Sequence, residues 1–262
     1  MKTASRSWLF LPLPAGLIIS AWLALAWWDE SPYARYLNHT GWLDIGPITR
    51  LCGAIPGGTV IVPASLHVVA WLLMLTAMML PTITPLVDIF RRLTQEHSDR
   101  HRLLTLILLG YLGIWTLFGL AAHVLDAGLH LWIVQHPWLT VHGWLMAATI
   151  LALAGAYQFS SLKYRCLDKC RSPLLFVTEH WHGTNERRDS LLLGLHHGAY
   201  CIGCCWALML LMFAVGAGSI GWMLALAAVM AVEKNLPWGR YVSKPLGVGL
   251  LLWVGAVVAQ NF

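Results

Sequence analysis

Leu103-Leu104-Thr105-Leu106-Ile107-Leu108-Leu109-Gly110-Tyr111-Leu112-Gly113-Ile114-Trp115-Thr116-Leu117-Phe118-Gly119-Leu120-Ala121-Ala122 carries no charged side chain, and the run continues to Val134 with Asp126 as its one charge. About 20 helical residues at about 1.5 Å each cover the roughly 30 Å hydrocarbon core of a bilayer. Lipid offers backbone groups no partners, so a segment of this kind is a helix or part of a closed barrel. Its apolar residues are continuous rather than alternating, which excludes a barrel. The expectation is a transmembrane helix over about 103–134.

Working outward, six more apolar segments lie at about 8–28, 65–90, 137–160, 191–216, 219–236 and 245–260. The fold class expected is an all-α polytopic membrane bundle of seven helices in a single membrane domain. Composition agrees: the chain is 58% hydrophobic and 11% charged, against about 25% charged in soluble domains. Among 15 Trp, Trp28, Trp42, Trp132, Trp138 and Trp238 sit near segment ends, as in an interfacial aromatic belt. The first segment follows Lys2 and Arg6, and Ala24-Leu25-Ala26 resembles a cleavage site. Its apolar stretch exceeds the usual 7–15 residues of a signal peptide, so it is read as a retained anchor.

The net charge of +5 is explained by topology rather than by nucleic acid, since no basic patch is interleaved with aromatics. Of the 17 Lys and Arg, all but Arg35 and Arg50 fall on one side if the amino terminus is inside. The positive-inside rule then places the carboxyl terminus outside. Residues 29–64 become an outer loop with Cys52, and 161–190 an inner loop with Cys166 and Cys170. The location expected is a bacterial inner membrane.

Five of six cysteines cluster as Cys166, Cys170, Cys201, Cys204 and Cys205. The run His196-His197-Gly198-Ala199-Tyr200-Cys201-Ile202-Gly203-Cys204-Cys205-Trp206 lies in the fifth segment. At about 100° per residue, His197, Cys204, Cys205, Met209 and Met212 fall about 40°, 60°, 40°, 80° and 20° from Cys201. One face thus gathers thiol, thioether and imidazole groups, ligands that suit Cu(I) or, without Met, Zn. Packing is the competing reading, because free Cys also behaves as a small buried hydrophobe. A Cys201–Cys204 redox pair is another. One helix rarely surrounds a metal, so Cys166 and Cys170, four residues apart, are the expected second source of ligands. His180 and His182 read as solvated loop histidines, and His196 points away from the cysteine face.

Met74 and Met78 share a face of the second segment, beside Pro81, which frees the carbonyl of Ala77. With Met209 and Met212 they make a possible soft-metal path or simply core. His123, Asp126 and His130 share a face of the third segment and form a candidate outer metal site, with interfacial hydrogen bonding as the alternative. Glu233 and Lys234 close the sixth segment at the cytoplasmic surface; adjacent residues do not face each other on a helix, so each is expected to contact other helices or headgroups. No P-loop, dinucleotide fingerprint or zinc-protease motif is present.

These residues resemble a bacterial family of predicted metal-binding integral membrane proteins (domain of unknown function 2182). The resemblance is carried by Trp71 through Pro85, Gly110-Tyr111-Leu112 with Trp115, and Ala154-Gly155-Ala156-Tyr157-Gln158. It continues in Leu162-Lys163 with Cys166-Leu167 and Cys170-Arg171-Ser172-Pro173, in His197 through Trp206, and in Glu233-Lys234 with Pro237. It spans about residues 65–250. Ser161 stands where the family commonly has Pro, and His123, Asp126 and His130 fall outside the pattern. The resemblance implies metal binding and no established reaction. The expectation is therefore a membrane protein that binds a soft transition metal, Cu(I) before Zn. It would relay or deliver that metal to a membrane metalloenzyme or exchange it with a metal chaperone. A membrane thiol oxidoreductase and a metal-free assembly subunit are the alternatives; a haem protein lacks an evident pair of axial histidines.

Overall fold

A computed structural model describes residues 12–30, 58–136, 138, 142–183, 185–215 and 219–261. Among them all regular structure is helical. Each of the seven apolar segments forms a helix: α1 (Pro12–Asp29), α2 (Gly58–Leu93), α3 (Arg100–Val134), α4 (Trp144–Tyr157), α7 (Glu186–Val215), α8 (Ile220–Asn235) and α9 (Ser243–Asn261). Four are long and apolar enough to cross a membrane, or five spans if the bent pair at 144–171 counts as one. Trp42, Cys52 and most of the 29–64 segment lie outside the described residues.

The 161–190 segment is not the loop that its polarity suggested. Residues Ser161–Arg171 and Pro173–His180 fold as two further helices, α5 and α6. On α5 the buried residues are Lys163, Cys166, Leu167 and Cys170, the spacing of a single helical stripe. Only that stripe is buried, so mean hydropathy hides the helix. Ser160 caps it by accepting a hydrogen bond from the Lys163 N–H at 3.1 Å. Ser161 thus holds the first helical position, where proline is favoured. Pro173 disfavours helical geometry at Ser172, whose φ of −115° and ψ of 63° separate α5 from α6. The α4–α5 junction bends by 64°.

The principal packing is α3 on α7. A Cβ on Gly194 would lie 2.1 Å from the Ile107 carbonyl oxygen, and one on Gly110 would lie 2.5 Å from that of Leu191. The backbones touch, as small residues permit between membrane helices. This contact brings Tyr111 of α3 level with the cysteines of α7. The helices α5, α4 and α8 also pack on α7, while α2 packs on α1, α3 and α8. The buried core includes all five described cysteines together with Met74, Met78, Met209 and Met212. In contrast, Leu117, Val124 and Leu125 of α3 and Leu252 of α9 are exposed.

Candidate metal centre

The structure brings the α5 and α7 cysteines together. Cys170 Sγ lies 3.9 Å from Cys204 Sγ, too far for a disulfide and close enough to share an ion. Two sulfurs about 2.3 Å from one tetrahedral metal are roughly 3.8 Å apart. Cys166 packs against Gly203: a Cβ there would meet its Sγ at 2.5 Å, so only glycine lets this thiol approach the helix. The Gly203 carbonyl accepts a hydrogen bond from Tyr157 OH. All five cysteines are free thiols and buried.

Cys201 occupies the centre. Its Sγ is 3.1 Å from Tyr111 OH and receives a hydrogen bond from Lys234 Nζ at 2.9 Å. Lys234 Nζ also lies 3.4 Å from Thr82 Oγ1 and 3.9 Å from Cys205 Sγ. The Cys204 and Cys205 thiols donate to the Cys201 carbonyl at 3.1 and 2.8 Å. His197, one turn before Cys201, is buried, and its Nδ1 has no hydrogen-bond partner among the described residues. Its ring centroid stands 5.2 Å from Phe176 and 6.0 Å from Tyr111.

Lys234 is the main residue that sequence reasoning missed. It does not lie at the surface; it is 7% exposed. The adjacent Glu233 and Lys234 diverge, as neighbours on a helix must. Glu233 binds Lys163 Nζ at 2.8 and 2.9 Å and Ser243 Oγ at 2.6 Å, with Gln158 also accepting from Lys163. Arg171 adds hydrogen bonds to the carbonyls of Glu233 and Pro237. This network clamps the cysteine helix α5 to α8, while Lys234 turns the other way into the thiols. The available signal was an uncompensated Lys in an apolar helix, which must find a partner in the protein interior.

The donors are buried thiols, and thiolates select Cu(I), Zn or iron–sulfur clusters. Among the described residues no group of three or more His, Cys, Asp or Glu side chains is placed to hold a metal ion. A model of the PpoB2 copper chaperone family matches residues 68–257, nearly three quarters of the chain. The chain belongs to this family. Membership of the PpoB2 family agrees with the metal-binding resemblance of the sequence and covers every described cysteine and the Lys234 partner. No curated protein and no solved structure matches the chain.

The other residues are less assembled. Met209 and Met212 continue the buried face of α7, and Met74 and Met78 are buried on α2. The principal neighbours of α2 are α1, α3, α6 and α8 rather than α7. His123 and Asp126 lie on α3, and the side chain of His130 is outside the described residues. His123 is 12 residues beyond Tyr111, about 18 Å along the helix. It therefore belongs to the opposite end of the bundle from the thiols.

Proposed function

We propose that this PpoB2-family chain is a bacterial inner-membrane copper chaperone that holds Cu(I) between the α5 and α7 thiols and hands it to a membrane metalloenzyme. The observation that carries the reading is the 3.9 Å Cys170–Cys204 pair beside the Lys234–Cys201 contact. Copper is the cargo. Cysteine binds metal as thiolate, so Cu(I) on two thiolates has a net charge of −1. A buried anion of this kind needs a counter-charge, and the Lys234 ammonium supplies it. Cys201, Cys205, Cys166 and His197 complete the set through which the ion moves by ligand exchange. Loading releases the thiol protons and transfers no electron. The thiol oxidoreductase reading has less support, because the family matched is one of copper chaperones and all five described cysteines are free thiols.

The membrane carries seven spans, with the amino terminus in the cytoplasm and the carboxyl terminus outside. Support comes from the one-sided distribution of Lys and Arg. Reporter fusions after residues 97, 135, 180, 218 and 240 are expected to alternate in, out, in, out, in. A periplasmic signal at 180 sinks both the orientation and the cytoplasmic metal centre.

One route by which copper reaches the thiols starts on the outer side. His123, Asp126 and His130 gather it, and the thioethers of Met74, Met78, Met209 and Met212 pass it inward. Thioether is neutral and weak, so it can sit in an apolar interior where a second charge is costly. Leu conserves Met volume approximately but cannot ligate. Met209→Leu with Met212→Leu is therefore expected to slow copper loading from outside by about tenfold, the equivalent of about 1.4 kcal/mol in the barrier. The final cysteine-bound stoichiometry should stay unchanged. Equal loading rates in the variant and the wild type reduce the methionines to core residues.

A further inference from the structure

His180 and His196 both fall outside the cysteine face, yet the folding of α6 brings them together. Their ring centroids are 5.0 Å apart and their planes are inclined by 57°. His196 is exposed on α7 and His180 half-buried at the end of α6. The His180 Nδ1–H donates to the Phe176 carbonyl at 3.0 Å. That bond leaves Nε2 with its lone pair outward, the arrangement found in most metal-ligating histidines. Phe176 also stacks on the His180 ring, with centroids 4.3 Å apart and planes at 22°, which fixes the ring orientation.

We propose that His180 and His196 form a second, accessible Cu(I) site at which a carrier docks its ion before transfer to the buried thiols. With metal–nitrogen distances of about 2.0–2.1 Å, each ring centroid stands roughly 3.2 Å from the ion. Two imidazoles on one bent centre then have centroids about 5 Å apart, as this pair does. Two protein ligands leave coordination positions open for the carrier's own donors, so the ion can be shared during exchange. Imidazole holds Cu(I) less well than thiolate does, which directs the ion inward. The route is short. Phe176 contacts His180 on one side and His197 on the other, and His197 precedes Cys201 by one turn. The direction of travel proposed here rests on the thiol centre, while the existence of the imidazole site does not.

The test uses the full chain in detergent, with Cu(I) supplied anaerobically as its acetonitrile complex. Histidine modification by diethyl pyrocarbonate is read by mass spectrometry in the Cys201→Ser/Cys204→Ser variant. Copper is expected to slow modification of His180 and His196 together by about tenfold, and exposed His182 serves as the reference. His180→Gln should remove the protection of His196. In the chain with intact cysteines, His180→Gln with His196→Gln should slow loading from a Cu(I)–carrier complex while leaving the cysteine-bound stoichiometry unchanged. Modification rates that ignore copper, or protection of His196 that survives His180→Gln, overturn the site. Protection of both histidines in a chain whose wild type retains no cysteine-bound copper upholds this site and refutes the thiol centre instead.

Discussion

Replacing Cys201 and Cys204 together by serine is expected to take the purified protein from about one cysteine-bound copper per chain to none, with insertion into the membrane intact. Serine keeps the size of cysteine but offers a hard hydroxyl that does not ionise near neutral pH, so it loses the ligand chemistry and little else. Both thiols lie in a packed interior and bridge α7 to its neighbours: Cys204 faces Cys170 of α5, and Cys201 faces Tyr111 of α3 and Lys234 of α8. The double change therefore removes the donors common to every pairing in the cluster. Changes to residues that touch Cys201 without binding the ion should cost less. Tyr111→Phe and Lys234→Met are expected to weaken copper by about 10–100-fold, the usual effect of disturbing a ligand's supporting shell. Metal analysis and competition with a cuprous chelator give both numbers. A double mutant with wild-type copper content would defeat the thiol centre, and a Lys234→Met protein of unchanged affinity would remove the counter-charge argument while leaving the thiols in place.

Much of this molecule was legible before any coordinates. Each of the seven continuous apolar runs contains a helix, four helices of the structure being long and apolar enough to cross a membrane, and the buried cysteine face of α7 follows from helical periodicity. The seams between helices were harder. Helix α5 escapes a hydropathy reading because its buried stripe is Lys163, Cys166, Leu167 and Cys170: a lysine and two cysteines do not register as an apolar face. A charged residue at a helix end, as Lys234 is, can reach either a neighbouring helix or the headgroups, and the sequence alone does not choose between them. Its true direction depends on how α8 is rotated, and that rotation is set by the Glu233–Lys163 contact from another element. Likewise, His180 looked solvated because α6 is only eight residues long, and its meeting with His196 depends on how the α5–α6 hairpin folds back on α7. Periodicity reports what one helix presents; it is silent on which helix receives it.

That dependence makes the Lys163–Glu233 pair the other point of large expected effect. Lys163 is fully buried and Glu233 is 2% exposed, so neither charge has water to fall back on. Its contacts with Glu233 are supplemented by Gln158, and Glu233 is further held by Ser243. Removing one partner of a buried pair leaves an uncompensated charge and costs about 3–5 kcal/mol, whereas replacing both can be nearly neutral. Lys163→Met alone and Glu233→Gln alone should each lower the thermal unfolding midpoint in detergent by roughly 10 °C, given about 2–4 °C per kcal/mol for a chain of this size. The combination Lys163→Met/Glu233→Gln removes both charges and keeps an amide for Ser243, so it should recover at least half of either loss. Non-additivity of this sign is what direct contact predicts. The pair also positions α5 against α8, hence Cys170 against Cys204 and Lys234 against Cys201, so each single change should weaken copper along with the fold. If both single variants unfold at the wild-type temperature, the pair is solvated and the clamp between α5 and α8 does not exist. If they are destabilised and the double variant is worse than either, the two residues act separately, and the register of α8 is held by something other than this ion pair.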